Sequence, residues 1–121
     1  RFSRWGTHKS KSQELNEAEL DSYLKQYVPD SPLCGPVSVE FTAFMPIPAS
    51  TTKKARAAFL QAKTPHAKKP DIDNIEKQIL DRMTALKFWR DDCLVWRVVK
   101  EKIYSDRPRW EIRVEEWNGG F

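Results

Sequence analysis

The clearest alternation of apolar and polar residues in this chain is VSVEFTAFM, residues 37–45. Every second residue from Val37 to Met45 is apolar, and three of the four residues between them are polar. A period of two is typical of a strand that buries one face. Pro46 and Pro48 follow, and because proline cannot donate to a sheet ladder, we expect the strand to end there.

Helical patterns lie on both sides of this strand. From residue 12 onwards, Leu20, Leu24 and Tyr27 recur at helical spacing, and Pro29 is a stop signal. Ser50 is placed to cap a short helix that runs to residue 62. A second amphipathic helix is marked by an apolar face, formed by Ile72, Ile75, Ile79, Met83 and Leu86.

Two further strands are expected near the end of the chain. Residues 95–104 have the composition of a long strand, and residues 110–117 are predicted to be its hairpin partner, with the turn at 105–109. Residues 1–11 are polar and unpatterned, which suggests a basic arm or loop. The sequence therefore predicts one α+β domain over residues 1–121, with two to three helices packed on a mixed or antiparallel sheet.

Composition narrows the class of protein. The chain has 121 residues, of which 40% are hydrophobic, so it can build one compact core. It contains no apolar run near the roughly 20 residues that a membrane span requires, and no pattern of a signal peptide. Two cysteines are too few for a disulfide framework, so we expect a reducing, cytoplasmic compartment.

Positive charge is concentrated in two stretches that contain no acidic residue, residues 1–13 and 50–70, although the net charge is only +4. A polyanionic partner such as DNA explains this segregation, and the competing interpretation is a solvated helix face plus a floppy terminus. The residues that we expect to contact DNA are Arg1, Arg4, Lys53, Lys54, Lys68, Lys69 and Asn74.

The most informative segment for chemistry is KKPDIDNIEK, residues 68–77. Pro70 disfavours helix at Lys69, so Asp71 and Asp73 fall at the start of the second helix, where the helix dipole partly offsets their repulsion. Asn74, Lys77 and Asp81 form a polar stripe opposite the apolar face.

A second group of carboxylates, Asp91 and Asp92, stands just before the long strand. A helix that returns to a strand can bring Asp92 beside Asp71 and Asp73, and three hard oxygen ligands next to a basic surface suit Mg²⁺. Lys77 is placed to hold a scissile phosphate or steady a leaving group.

Other interpretations of these residues remain open. Asp71 and Asp73 are also consistent with helix caps, and the Asp91–Asp92 pair with a simple turn. The spacing fits neither an EF-hand nor a restriction-enzyme site, and the scattered His and Cys residues do not fit zinc. His66 is expected to be a phosphate contact or a plain loop residue, and Cys93 a small core residue of the strand.

At these residues the chain resembles the RusA family of Holliday-junction resolvases, in particular its phage and prophage members. The residues that match the family are Lys69–Ile75 with Lys77 and Asp81, and then Phe88–Asp92. Residues 45–48 and 64–66 are also similar to phage-type members. The resemblance covers about residue 36 to the end.

This resemblance implies a homodimeric endonuclease that makes paired nicks in four-way DNA junctions during recombination and repair. Family roles carry over as Mg²⁺ ligands at Asp71, Asp73 and Asp92, with Asp91 as a further candidate, Lys77 as an essential lysine, and Mn²⁺ as a substitute metal. Trp110 and Trp117 are candidates for the dimer interface.

Two alternatives remain, a relative that binds branched DNA without cutting it and a general phage flap or branch nuclease. Family members usually place a strand ahead of this region, so the opening Arg1–Arg4 suggests a shortened form without it.

Overall fold

The computed structural model describes residues 3–9, as backbone alone, and residues 17–117. Its four strands form one sheet in the order β1-β4-β2-β3. The strands are β1 (Ser3–Lys9), β2 (Val37–Pro46), β3 (Val95–Ser105) and β4 (Arg109–Glu116). The helices are α1 (Glu17–Leu24), α2 (Lys53–Gln61) and α3 (Ile72–Ala85), with 3₁₀ turns at Lys25–Tyr27 and Asp92–Leu94. The predicted α+β class, with helices on a mixed sheet, is confirmed.

Strand β2 is central, as its alternating pattern predicted. Val39, Phe41 and Ala43 are almost completely buried and belong to one core with Leu20 and Leu24 of α1. The apolar face of α3 completes this core through residues 75, 79 and 83. The predicted α3 face is thus confirmed, and burying it against β2 fixes the orientation of the opposite, polar face.

The predicted hairpin between β3 and β4 is wrong. β3 pairs with β2 in parallel, and β4 pairs with the other edge of β2 in antiparallel orientation, so β2 lies between them. The short loop 106–108 passes over the end of β2. The sequence suggested a hairpin because a short loop usually joins neighbouring strands, whereas the apolar alternation of β2 makes it the better buried centre.

The interpretation of residues 1–11 as an arm or loop is also wrong for residues 3–9. Strand β1 lies at the sheet edge and pairs with β4 from Ser3↔Glu115 to Lys9↔Arg109. The suggestion that the chain is a shortened form stays a prediction. An edge strand has one unpaired side, so it does not need the apolar pattern by which β2 was recognised. Arg1 and the predicted helical start at residues 12–16 lie outside the described residues.

A lysine with a positive φ stands two residues after the last residue of α2 and of α3. Lys87 has a φ of 69° and Lys63 a φ of 48°. After α3, the Phe88 amide donates to the Met83 carbonyl and the Lys87 amide to that of Thr84, which is a Schellman ending. Helix α2 begins after Thr52, whose hydroxyl accepts from the Ala55 amide, and not after Ser50 as predicted.

The segment after α3 is fixed to the body of the protein before it reaches Asp91. Trp89 is fully buried, and its indole N–H donates to the Thr84 hydroxyl at 2.8 Å. The backbone of Leu33 bonds to both Phe88 and Arg90. Among the described residues, no helix has the length and apolar character needed to cross a bilayer.

Candidate active site

Asp71 stands at the N-cap of α3, but its carboxylate is not used as a cap. The residue has extended backbone angles and makes no side-chain bond to the helix amides. Its carboxylate instead contacts the Lys69 ammonium group, at 3.2 Å, and its side chain is 51% exposed. Asp73 accepts a bond from the amide of its neighbour Asn74 at 3.1 Å. Because no capping bond occupies Asp71, the interpretation of this residue as a structural cap loses its main physical support.

The Asp71–Asp73 pair lines an open cleft of about 560 Å³. His66, Lys68, Lys69 and Lys102 line the same cleft, with Ala67 and Ile72 as its apolar residues. The cleft therefore brings together two carboxylates and three lysines. Such a combination can bind a divalent cation and a phosphate side by side.

Lys102 holds together the loop that leads into α3. Its ammonium group donates to the carbonyl oxygens of Lys68 and Pro70, both at 2.7 Å. Its own carbonyl accepts a bond of 3.0 Å from the His66 amide. Our sequence reasoning did not identify Lys102. Its role became visible only through the β2–β3 pairing, which sets Lys102 on the helix-covered face of β3, in register with buried Ala43 of β2, where a lysine needs acceptors.

His66 is buried, with only 4% of its surface exposed, although it lies in a basic loop. Its ring packs edge-on against Tyr104, which stacks on Phe59 of α2 with ring centroids 4.8 Å apart. Burial, together with the positive charge of Lys102, lowers the pKa of His66, so the imidazole is neutral at neutral pH. The sequence had suggested that His66 is a phosphate contact or a plain loop residue. It did not predict that His66 helps to dock α2 beside the cleft.

The second acidic group consists of Asp91, Asp92 and Asp81. The Asp91 carboxylate accepts a bond of 2.9 Å from the Cys93 amide and so caps the 3₁₀ turn, which lowers the pKa of Asp91. A hydrogen bond with Asp91 and the negative charges of Asp91 and Asp81 raise the pKa of Asp92. Cys93 is exposed and lies in this turn, so its assignment to the core of the strand is wrong.

The two acidic groups are connected by one exposed face of α3. Asp73, Lys77 and Asp81 recur at four-residue spacing on that face. At 1.5 Å per residue, Asp73 and Asp81 are about 12 Å apart along the helix axis, with Lys77 halfway. Within residues 17–117, no group of three or more His, Cys, Asp or Glu side chains is placed to hold a metal. The assignment of Asp71, Asp73 and Asp92 to one metal site therefore stays a prediction.

The predicted DNA contacts lie in several parts of the structure. Lys68 and Lys69 line the cleft and are exposed, Asn74 is exposed in the first turn of α3, and Lys53 and Lys54 are exposed in the first turn of α2. Arg4 lies in β1, described as backbone alone, and Arg1 is outside the described residues. No contact with DNA is tested by this arrangement, so these roles stay predictions.

Comparison with known proteins decides the family. The family model described as "Endodeoxyribonuclease RusA" matches residues 1–115. The chain belongs to the RusA family. It is 30% identical to the "Uncharacterized protein YqaN" of Bacillus subtilis (strain 168), over 84% of this chain and 78% of that protein. It is 39% identical to the "Crossover junction endodeoxyribonuclease rusA" of Lactococcus phage r1t, over 40% of this chain and 37% of the phage protein. Membership of this family supports a nuclease activity for the chain.

Proposed function

We propose that this protein is a Mg²⁺-dependent, structure-specific endonuclease. It resolves Holliday junctions or related branched DNA by paired symmetric nicks, in recombination and repair. Its partners are branched DNA and a second copy of the chain, since a junction with two-fold symmetry calls for two sites related by the same symmetry.

The observation that carries this proposal is the exposure of the Asp71 carboxylate and its lack of a capping bond. A carboxylate at a helix N-cap that is half exposed, bonds to no helix amide and lines a cleft with Asp73 is available for another ligand. Its only close partner in the described structure is the ammonium group of Lys69, an exposed side chain that a metal ion can displace.

The donor set of the cleft suits Mg²⁺. This ion is usually held by one or two carboxylates together with waters and substrate phosphates, which Asp71 and Asp73 at an open cleft allow. Asp92 is proposed as the third ligand and Asp91 as a further candidate, with Mn²⁺ as a substitute for Mg²⁺. When bound, the ion lowers the pKa of water and stabilises charge on the phosphodiester.

The remaining residues bind and orient the DNA. Lys68 and Lys69 neutralise phosphates at the rim of the cleft, and Lys77 reaches a phosphate from the face of α3 between the two acidic groups. Asn74, at the same helix start, is proposed to contact the DNA as well. Lys102 keeps the loop of residues 66–70 in place through its two carbonyl contacts, so that Asp71 is presented in one position.

The decisive experiment is cleavage of an end-labelled four-way junction in the presence of Mg²⁺. We expect symmetric nicks with the unmodified protein and a fall of orders of magnitude with Asp71→Asn, because a metal ligand is lost. Asp30→Asn, the same change at an exposed residue outside the cleft, is the matched control. Equal cleavage by the unmodified protein and Asp71→Asn at saturating Mg²⁺ would refute the site.

A second candidate function is binding of branched DNA without cleavage. It is favoured by the finding that residues 17–117 contain no group of three metal-binding side chains. The same experiment separates the two, because this candidate requires tight junction binding with no nicks at any Mg²⁺ or Mn²⁺ concentration. A labelled flap substrate in parallel tests the preference for flaps over junctions.

A further inference from the structure

Strand β3 has a free edge along part of its length. It lies at one side of the sheet, and its inner edge pairs with β2. On the other edge, the carbonyl of Lys102 and the amide of Tyr104 bond to the loop 64–66. Within the described part of the chain, no strand or loop pairs with residues 97–101 on that side. An unpaired edge of this kind is a template for another strand.

The backbone groups that point out of this edge can be assigned by alternation. In a strand, alternate residues direct their N–H and C=O groups to the same edge. Lys102 and Tyr104 face the outer edge through their bonds to the loop, so Lys100 and Val98 also present their backbone groups there. The only irregularity in the β2–β3 register lies before this segment, between Val37 and Ser38 of β2.

The side chains of residues 97–101 are complementary to those of the same segment in a second copy that runs antiparallel to it. Arg97, Val99 and Glu101 share the face of β3 that lies away from the helices, and all three are exposed. If a second copy runs antiparallel with Val99 opposite Val99, each Arg97 lies opposite a Glu101. In that register Val98 lies opposite Lys100, so the outward backbone groups also match.

The charges on this segment are available for such a contact. Glu101 is exposed, and no ion pair of Glu101 is seen among the described residues. Arg97 uses Nη1 for Ser38 and Glu40, at 2.9 and 3.1 Å, and no contact of its Nη2 is seen in residues 17–117. Exposed Trp96 stands at the start of the segment and adds apolar surface, with 58% of its area exposed.

We propose that two copies of this chain join their sheets through antiparallel pairing of residues 97–101 of β3. The two-fold axis passes through Val99, and Arg97 of each copy pairs with Glu101 of the partner subunit. This inference rests on the homodimer of the proposed function and assigns its surface. Trp110, a candidate for the interface from the sequence, is buried in the core and does not contribute.

The test is the oligomeric state of two charge-reversal variants, measured by light scattering and sedimentation without DNA or metal. Glu101→Arg places Arg97 opposite an arginine, and Arg97→Glu places Glu101 opposite a glutamate. We expect the unmodified chain to be dimeric at micromolar concentration, and each variant to raise the dimer Kd by about tenfold or more. An equimolar mixture of the two variants regains complementary pairs, so it should form heterodimers.

The matched control is Glu19→Arg, the same charge change on α1, a helix that packs against α3 and β1. It should leave the dimer Kd unchanged. In a Cys34→Ser/Cys93→Ser background, Val99→Cys should form an intermolecular disulfide on mild oxidation, because the two residues meet on the axis. The proposal is overturned if the unmodified chain is monomeric, if Glu101→Arg dimerises normally, or if the mixture stays monomeric. Because cleavage is not measured, an inactive nuclease would not affect this outcome.

Discussion

The ammonium group of Lys102, on β3, donates a hydrogen bond of 2.7 Å to the carbonyl oxygen of Pro70, the residue immediately before Asp71. A second bond of 2.7 Å reaches the carbonyl of Lys68. Through these contacts a strand of the sheet determines where the first acidic residue of the cleft stands. Residues that hold a ligand-bearing segment in this way affect metal affinity and activity without touching the substrate.

Lys102→Met should therefore reduce junction cleavage by about 10- to 100-fold while the Kd for DNA changes little. Single-turnover cleavage at saturating DNA measures the first quantity, and hydrogen exchange of amides 66–74 should become faster. Lys25→Met is the control, since Lys25 is an exposed lysine that lies outside the cleft and outside β3. Partial recovery is expected with Lys102→Arg. Normal cleavage by Lys102→Met would show that the loop needs no such support.

Asp71→Asn should separate binding from stability. Asparagine is as good an N-cap as aspartate, and Asp71 makes no capping bond, so the free energy of unfolding should change by less than about 1 kcal/mol. Junction binding without Mg²⁺ should become tighter, because a carboxylate that faces phosphate has been neutralised. Urea unfolding and a filter-binding titration measure the two effects. A large loss of stability would point to a structural role for Asp71.

Junction binding should weaken steeply as salt rises, because lysine contacts with phosphate release counterions. The double change Lys68→Ala/Lys69→Ala should lower affinity for all DNA sequences alike and reduce the slope of log Kd against log salt. Lys25→Ala/Lys87→Ala removes the same charge elsewhere on the chain and should leave the slope nearly unchanged. Affinity that is independent of salt would contradict a phosphate-binding role for the cleft rim.

Lys87→Gly should stabilise the fold. Lys87 has a φ of 69° at the end of α3, where glycine avoids the steric conflict of a side chain. The greater freedom of glycine in the unfolded chain offsets part of the gain, so we expect an increase of about 1 kcal/mol or less in the free energy of unfolding. Denaturant unfolding measures it. A destabilised variant would indicate that the lysine side chain makes a compensating contact.

The ion pair between Arg82 of α3 and Asp21 of α1, with two bonds of 2.8 and 2.9 Å, should make stability depend on pH. Hydrogen bonds from Arg82 lower the pKa of Asp21 below its ordinary value of 3.8. The unfolded chain therefore takes up this proton first, so the stabilisation is present above pH 3.8 and is lost as the pH falls through the lowered pKa. Urea unfolding of Asp21→Asn should differ from the unmodified protein at pH 7 and converge with it in acid. A constant difference down to pH 2 would exclude this linkage.

Local periodicity was sufficient to predict most of the elements. The alternation in residues 37–45 predicted β2, and the apolar spacing from Ile72 to Leu86 predicted α3, because burial on one face imposes these periods on the sequence. The same reasoning placed Asp71 and Asp73 at a helix start beside basic residues, and the motif indicated the RusA family. These features depend only on residues that are close together in the chain.

Contacts between distant residues were decided by the tertiary structure alone. The strand order depends on which strand buries most apolar surface, and no local pattern predicts that. This is why β2 lies between β3 and β4, and why β1 is at the edge. The same holds for Lys102, which reaches carbonyl groups 32 and 34 residues earlier in the chain. The same holds for the carboxylate of Asp92, which lies near Asp91 and Asp81 because the 3₁₀ turn 92–94 packs against α3.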